Sequence, residues 1–193
     1  ILGDIPIKAA KTGMLVNAEI ITTVAEIWSD LQAYHNIPLV VDPVMVATSG
    51  SQLLDPDAIR SLMSKLLPQA HLITPNLPEL AAMTNLPVDS FEERVYAGHK
   101  LIERGCTAVL IKDGHGNGQR VTDILLSPEG QWEFSQSRLA GEFHGTGCFS
   151  SAAICAGLAR GLRLHVAVDQ ALATLHSMLK QAQPTKSNKL KYM

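Results

Sequence analysis

The chain has 193 residues, 46% of them hydrophobic and 18% charged, with a formal net charge of -2 and a pI near 6.4. This length and balance predict a single domain over residues 1–193 with one substantial core, and they offer no basic field for nucleic acid and no polybasic patch for a membrane. No run approaches the ~20 apolar residues of a membrane span, and three cysteines without CxxC spacing spell neither a disulfide framework nor a zinc knuckle, so a small-molecule partner and a reducing cytoplasm are the expectation.

In chain order, the start lacks the basic-then-apolar layout of a signal peptide and opens without a helix cap or turn. The reading is that a segment precedes it. Residues 17–35 predict a helix capped by Asn17, with Ile20, Ile21, Val24, Ile27, Trp28 and Leu31 at spacings of three and four. Residues 38–44 (PLVVDPV) are β-branched and almost continuously apolar, the mark of a buried strand. Asp55 and Pro56 open a second helix running to about Leu67. Residues 71–76 (HLITPN) and 107–114 (TAVLIKDG) are two more buried strands, with a helix over 89–104 between them. Strand and helix in alternation imply right-handed crossovers and a parallel sheet covered on both faces. Between 114 and 144 the pattern changes: RVTDILLS and QWEFSQ flank the turn PEG, which predicts an antiparallel ribbon at the sheet edge. A helix rich in small residues follows HGTGC, and residues 165–182 form the last helix. The basic tail PTKSNKLKYM is expected to fray.

In such a sheet, ligands gather at the carboxyl ends of the strands. Those ends carry KTGM (11–14), DPVM (42–45), TPNLPE (74–79), KDGH (112–115) and, after the ribbon, HGTGC (144–148). Around Gly145, Thr146, Gly147 and Cys148, two glycines let the backbone turn sharply just where a helix presents unpaired N–H groups with partial positive charge, a setting suited to phosphate. The plainer reading is a glycine-bounded loop entering a buried helix. Cys148 stands where a buried filler has least reason to be, and the helix end favours a thiolate there by about 0.3–1 kcal/mol; Cys106 and Cys155 read as small core residues. An acyl-enzyme nucleophile is disfavoured, because Phe149 and Ser150 follow where a nucleophile elbow needs glycine. Asp42 and Glu79, at strand ends stiffened by Pro43, Pro75 and Pro78, suit a magnesium ion that keeps its waters beside a polyphosphate. Each also reads as a cap, Asp42 of a turn and Glu79 as a first-turn helix acid. Lys112 reads as a phosphate-reaching cation or as a solvated surface lysine.

These segments, KTGM, VVDPVMVATSG, LLDPDAI, LITPNLPE, VLIKDGH and HGTGC, resemble the hydroxymethylpyrimidine/phosphomethylpyrimidine kinases of thiamine biosynthesis, within the ribokinase-like superfamily. They follow that family's order over almost all of residues 5–180. The resemblance implies a three-layer α/β sandwich with a mainly parallel central sheet and helices on both faces, and phosphorylation by ATP, with Mg2+, of a pyrimidine alcohol and then of its phosphate. By the same resemblance Cys148 is the base or orienting group for the acceptor hydroxyl, and the amides of Gly145, Thr146, Gly147 and Cys148 stabilise the migrating phosphoryl group. Asp42 and Glu79, with Asn76, organise the metal and its waters; Lys112, Thr74 and Asn76 face ATP. Met14 and Val44 pack against the pyrimidine, residues 47–52 form a covering loop, and the enzyme is a homodimer. Two departures stand out. Phe143 precedes His144 where many members have threonine, and the family's N-terminal segment, with a central strand and polar substrate contacts, is expected to be missing. Pyridoxal or pyridoxine kinase is the runner-up, and a truncated relative that binds nucleotide without transferring phosphate is the reading from a different class.

Overall fold

The computed structural model describes residues 5–32, 36–45, 54–114, 118–141, 143–184 and 191–192. One sheet carries six strands in chain order: β1 (Ala10–Thr12), β2 (Leu39–Val41), β3 (Leu72–Ile73), β4 (Val109–Ile111), β5 (Arg120–Ser127) and β6 (Gly130–Ser137). The first four run parallel, and β5 and β6 turn back antiparallel as the ribbon pattern predicts. The helices are α1 (Ala18–Gln32), α2 (Pro56–Ser61), α3 (Leu77–Thr84), α4 (Phe91–Ile102), α5 (Thr146–Ala159) and α6 (Leu164–Gln181).

A sheet built in chain order has crossovers that all advance in one direction. With one preferred hand, their helices must fall on one face. The core divides accordingly. Leu39, Val41, Ile73, Val109 and Ile111 point toward Ile21 and Trp28 of α1, Ala58 of α2, Leu80 of α3 and Leu101 of α4. The alternate residues Val40, Leu72 and Leu110 point the other way, toward Ile154 of α5 and Val168 of α6. Near-continuous apolar strands are the signature of a sheet covered on both sides, and here both are covered.

Local signals hold closely. The Asn17 side chain accepts from the amide of Ile20 at 2.9 Å and caps α1. Asp55 accepts from the amide of Ala58 at 2.7 Å, with Pro56 at the first helical position. Ser90 and Glu93 form a capping box that starts α4. The second helix departs from a regular α-helix: after Ser61 it widens into a π turn over Leu62–Leu66 and tightens into a 3-10 turn over Leu67–Gln69. Pro68, lacking an amide hydrogen, cannot continue the α ladder, and the change of helix type precedes it. The β2 ladder stops before Pro43 for the same reason. In the tail, Gln183–Pro184 pairs antiparallel with Lys191–Tyr192, where fraying was expected.

Candidate active site

Strand alternation decides which side chains meet. Asp42, Thr74 and Lys112 each stand two residues beyond Val40, Leu72 and Leu110, so they continue the face that looks at α5. Lys11 is opposite Val40 in the β1–β2 register, and Lys112 bridges Asn76 beyond the end of β3. Apolar strands thus deliver a row of polar groups to one edge of the sheet.

Asp42 is the centre of that row, only 3% exposed. Its Oδ1 accepts from Lys112 Nζ at 3.2 Å and from Thr74 Oγ1 at 3.3 Å. Its Oδ2 accepts from Ser151 Oγ at 3.2 Å, and Ser151 Oγ itself accepts from Lys11 Nζ at 3.3 Å. Burying a carboxylate costs several kcal/mol unless it is paired and hydrogen-bonded, and both oxygens of Asp42 are engaged.

Over this cluster sits the first turn of α5. Gly145 is its N-cap with φ 81° and ψ 0°, a left-handed conformation that glycine adopts without strain. Gly147 serves a different purpose: a Cβ there would lie 3.3 Å from Lys112 Nζ and 3.8 Å from Asp42 Oδ2. The second glycine lets the helix approach the ion pair, rather than making the turn. Thr146, Gly147 and Cys148 occupy the first three helical positions, whose amides have no partner within the helix. Cys148 is exposed at that mouth, whereas Cys106 is buried, its thiol pushed up to about 12 by desolvation. Cys155 is half-buried, and burial raises its pKa too.

Asn76 and Glu79 take the capping role as well as any other. Asn76 Oδ1 accepts from the amide of Glu79 at 2.9 Å, and Glu79 Oε2 accepts from the amide of Asn76 at 2.8 Å, a reciprocal capping box that starts α3. Glu79 Oε1 also accepts, at 3.5 Å, from the amide of Met45. Burial raises the Glu79 pKa, opposed by the nearby Lys112 and the Asn76 amide and assisted by the charge of Asp42. The two acids therefore sense one another. Two carboxylates, already hydrogen-bonded, do not make a closed cage, and no group of three or more metal-ligating side chains occurs among the described residues. The donor set fits a hard cation that keeps its waters and shares phosphate oxygens, as magnesium does.

The remaining expected positions are less committed. Met14 is exposed, and Val44 is half-buried beside a small recess lined also by Leu15, Ile21 and Leu54. The expected covering loop over 47–52 lies outside the described residues. Two residues at the centre went unassigned in the sequence, Lys11 and Ser151. Their signals were a lysine within the KTGM strand end and a hydroxyl one turn beyond the cysteine.

On the opposite face of the same strand end lies a second ionic cluster. Asp113 pairs with Arg94 of α4 at 3.1 Å and Arg138 at 3.8 Å, and it accepts from the amide of Thr122 at 3.3 Å. Its own amide donates to Asp123 at 2.8 Å. Desolvation raises the Asp123 pKa to about 6, against the pull of the Asp113 amide and Lys112.

The chain as a whole is similar to known proteins. The phosphomethylpyrimidine kinase family profile matches residues 1–192. The chain is 42% identical over 184 residues to the hydroxymethylpyrimidine/phosphomethylpyrimidine kinase of Salmonella typhimurium, covering 94% of this chain and 68% of that protein. Among solved structures, an ADP complex of Bacillus subtilis pyridoxal kinase superposes with a TM-score of 0.87 at 28% identity, covering 98% of this chain and 71% of that one. Phosphomethylpyrimidine kinase from Clostridium difficile superposes with a TM-score of 0.77 at 34% identity, covering 92% and 71%. No helix among the described residues is long and apolar enough to cross a membrane.

Proposed function

The chain belongs to the phosphomethylpyrimidine kinase family, and from that premise we propose that it transfers the γ-phosphoryl group of ATP to hydroxymethylpyrimidine and then to the resulting monophosphate, in the cytoplasm and as a homodimer. The observation that carries this reading is the approach of Gly147 to the Lys112–Asp42 pair, with the exposed Cys148 one residue on. A cation, a carboxylate, free helix-end amides and a thiol meet at one edge of the sheet, and phosphoryl transfer asks for little more than such positioning and charge stabilisation.

In the first step the alcohol oxygen bonds to the γ-phosphorus, the bond from that phosphorus to the bridging oxygen of ADP breaks, and the hydroxyl proton passes to the Cys148 thiolate, which becomes the thiol. The amides of Gly145, Thr146, Gly147 and Cys148 donate to the oxygens of the migrating group, whose charge spreads outward in the transition state. Lys112 turns from Asp42 toward the ATP phosphates; the Asn76 side chain lines the nucleotide side, while Thr74, expected there too, is fully buried and acts through Asp42. Asp42 and Glu79 would hold a magnesium ion through its waters, and the ion would supply neutralisation of phosphate charge. Met14 and Val44 face the ring.

Incubation with Mg-ATP and hydroxymethylpyrimidine, followed by phosphorus NMR, tests the reading: monophosphate and then diphosphate should appear as ADP accumulates. ATP consumption without a phosphorylated pyrimidine would overturn it. The higher TM-score to a pyridoxal kinase supports one second reading, that pyridoxal is also an acceptor, whereas sequence identity is higher to the pyrimidine kinases. Faster turnover of pyridoxal than of the pyrimidine alcohol would make that the principal activity.

A further inference from the structure

The two oxygens of Asp42 are held by groups that differ in kind. Oδ1 is held by Lys112, a flexible ammonium that in phosphoryl transfer has phosphates to serve, and by Thr74. Oδ2 is held by Ser151, a short side chain fully buried on α5. Ser151 has one hydroxyl hydrogen and two acceptors within reach, Asp42 Oδ2 at 3.2 Å and the Cys148 carbonyl at 3.1 Å. Lys11 adds a second contact: its ammonium has only donors, so at 3.3 Å it occupies a lone pair of the hydroxyl oxygen. The hydroxyl must then donate outward, and a carboxylate is the stronger acceptor. The result is a directed chain from Lys11 Nζ through Ser151 Oγ to Asp42 Oδ2, tying β1, α5 and the end of β2 together.

We propose that Lys11 and Ser151 are positioning residues that keep Asp42 anchored through Oδ2 while Lys112 turns to the nucleotide phosphates, so that Oδ1 faces the hydrated magnesium ion in a fixed orientation. This rests on the kinase reading given above. Without the second anchor, departure of Lys112 would leave a carboxylate held by Thr74 alone and free to rotate. Because Ser151 stands one turn beyond Cys148, the same chain fixes the helix mouth relative to the metal-facing oxygen.

Calorimetric titration of ADP with and without magnesium separates this from a purely structural role. In Ser151→Ala and in Lys11→Met, the gain in ADP affinity on adding magnesium should shrink about tenfold, the scale on which partners of metal-organising side chains act. ADP affinity without metal should be unchanged. A native magnesium gain in both variants would overturn the proposal, as would equal losses with and without metal. If Ser151→Ala does not fold, Lys11→Met, whose side chain is only partly buried, decides the matter alone. The unaltered protein provides the control: no magnesium gain there, together with no phosphorylated product, would remove the kinase reading itself, whereas product formation with native-like variants removes only the anchor.

Discussion

Asp42 and Asp113 stand at strand ends on opposite faces of one sheet, and two cations are set against each. For Asp42 these are lysines, Lys112 directly at 3.2 Å and Lys11 through a serine. For Asp113 they are the arginines Arg94 and Arg138, and Arg138 also donates to the carbonyls of Asp113, Gly114 and Gly118. A guanidinium fork held by several acceptors is a fixed clamp, whereas an ammonium on a flexible stem can change partner. Lys112 and Asp113 are adjacent in the chain, so strand alternation sends one to each side: the clamp on one face steadies the strand end whose lysine pairs with Asp42 on the other.

The sharpest division comes from neutralising each acid. Asp42→Asn should lower turnover at least a hundredfold, on the scale of a lost transition-state contact, and should weaken the magnesium response measured by coupled ADP release. An unaltered metal response would erase the distinction between the clusters. Asp113→Asn should do the reverse, lowering unfolding free energy by about 2–3 kcal/mol in urea denaturation because two partly buried guanidinium groups lose their partner, with turnover per folded molecule retained. Cys148→Ala should cut turnover of the alcohol at least tenfold while sparing ATP binding. Turnover of the monophosphate should fall less, since a phosphate with a second pKa near 6 already presents an anionic oxygen at neutral pH. Near-native rates with the alcohol would show that the thiol does not take the proton.

Smaller effects refine the picture. Gly147→Ala should raise the KM for ATP by up to about tenfold by displacing Lys112, because small misplacements near reacting groups are costly. Its thermal stability should not fall, since alanine is favoured over glycine in a helix by about 0.5–1 kcal/mol. Asp123 gives a pH signature. Its pKa is about 6 in the fold against an ordinary 3.8, so between these values the native state holds a proton that the unfolded chain releases. The contribution of Asp123 to stability therefore declines as pH rises from about 4 to about 6. Asp123→Asn, which keeps an oxygen for the Asp113 amide, should flatten that decline in melting temperature across the same window.

Much of this was legible in the sequence because much of it is local. The caps at Asn17 and Asp55 use partners three residues away, and the ribbon from 120 to 137 is declared by its own turn. The strand ends that carry Asp42, Thr74 and Lys112 were visible as polar residues stopping apolar runs. Lys11 and Ser151 were not, because their contact joins residues 140 apart and Ser151 reaches Asp42 across 109. No local pattern encodes such a meeting; it follows only once alternation, register and the seat of α5 are known together. Glu79 shows the opposite limit, since its local cap was foreseen as an alternative and turned out to coexist with the charge coupling to Asp42.

The order of the elements also sets when the molecule becomes competent. Lys11, Asp42, Thr74 and Lys112 arrive one after another as the chain emerges, but the amides that would receive a phosphate come from α5, after the whole sheet has been made. A nascent chain short of that helix holds like-charged lysines and a carboxylate with no lid of N–H groups above them. On the kinase reading proposed above, transfer waits for α5 to dock on the sheet.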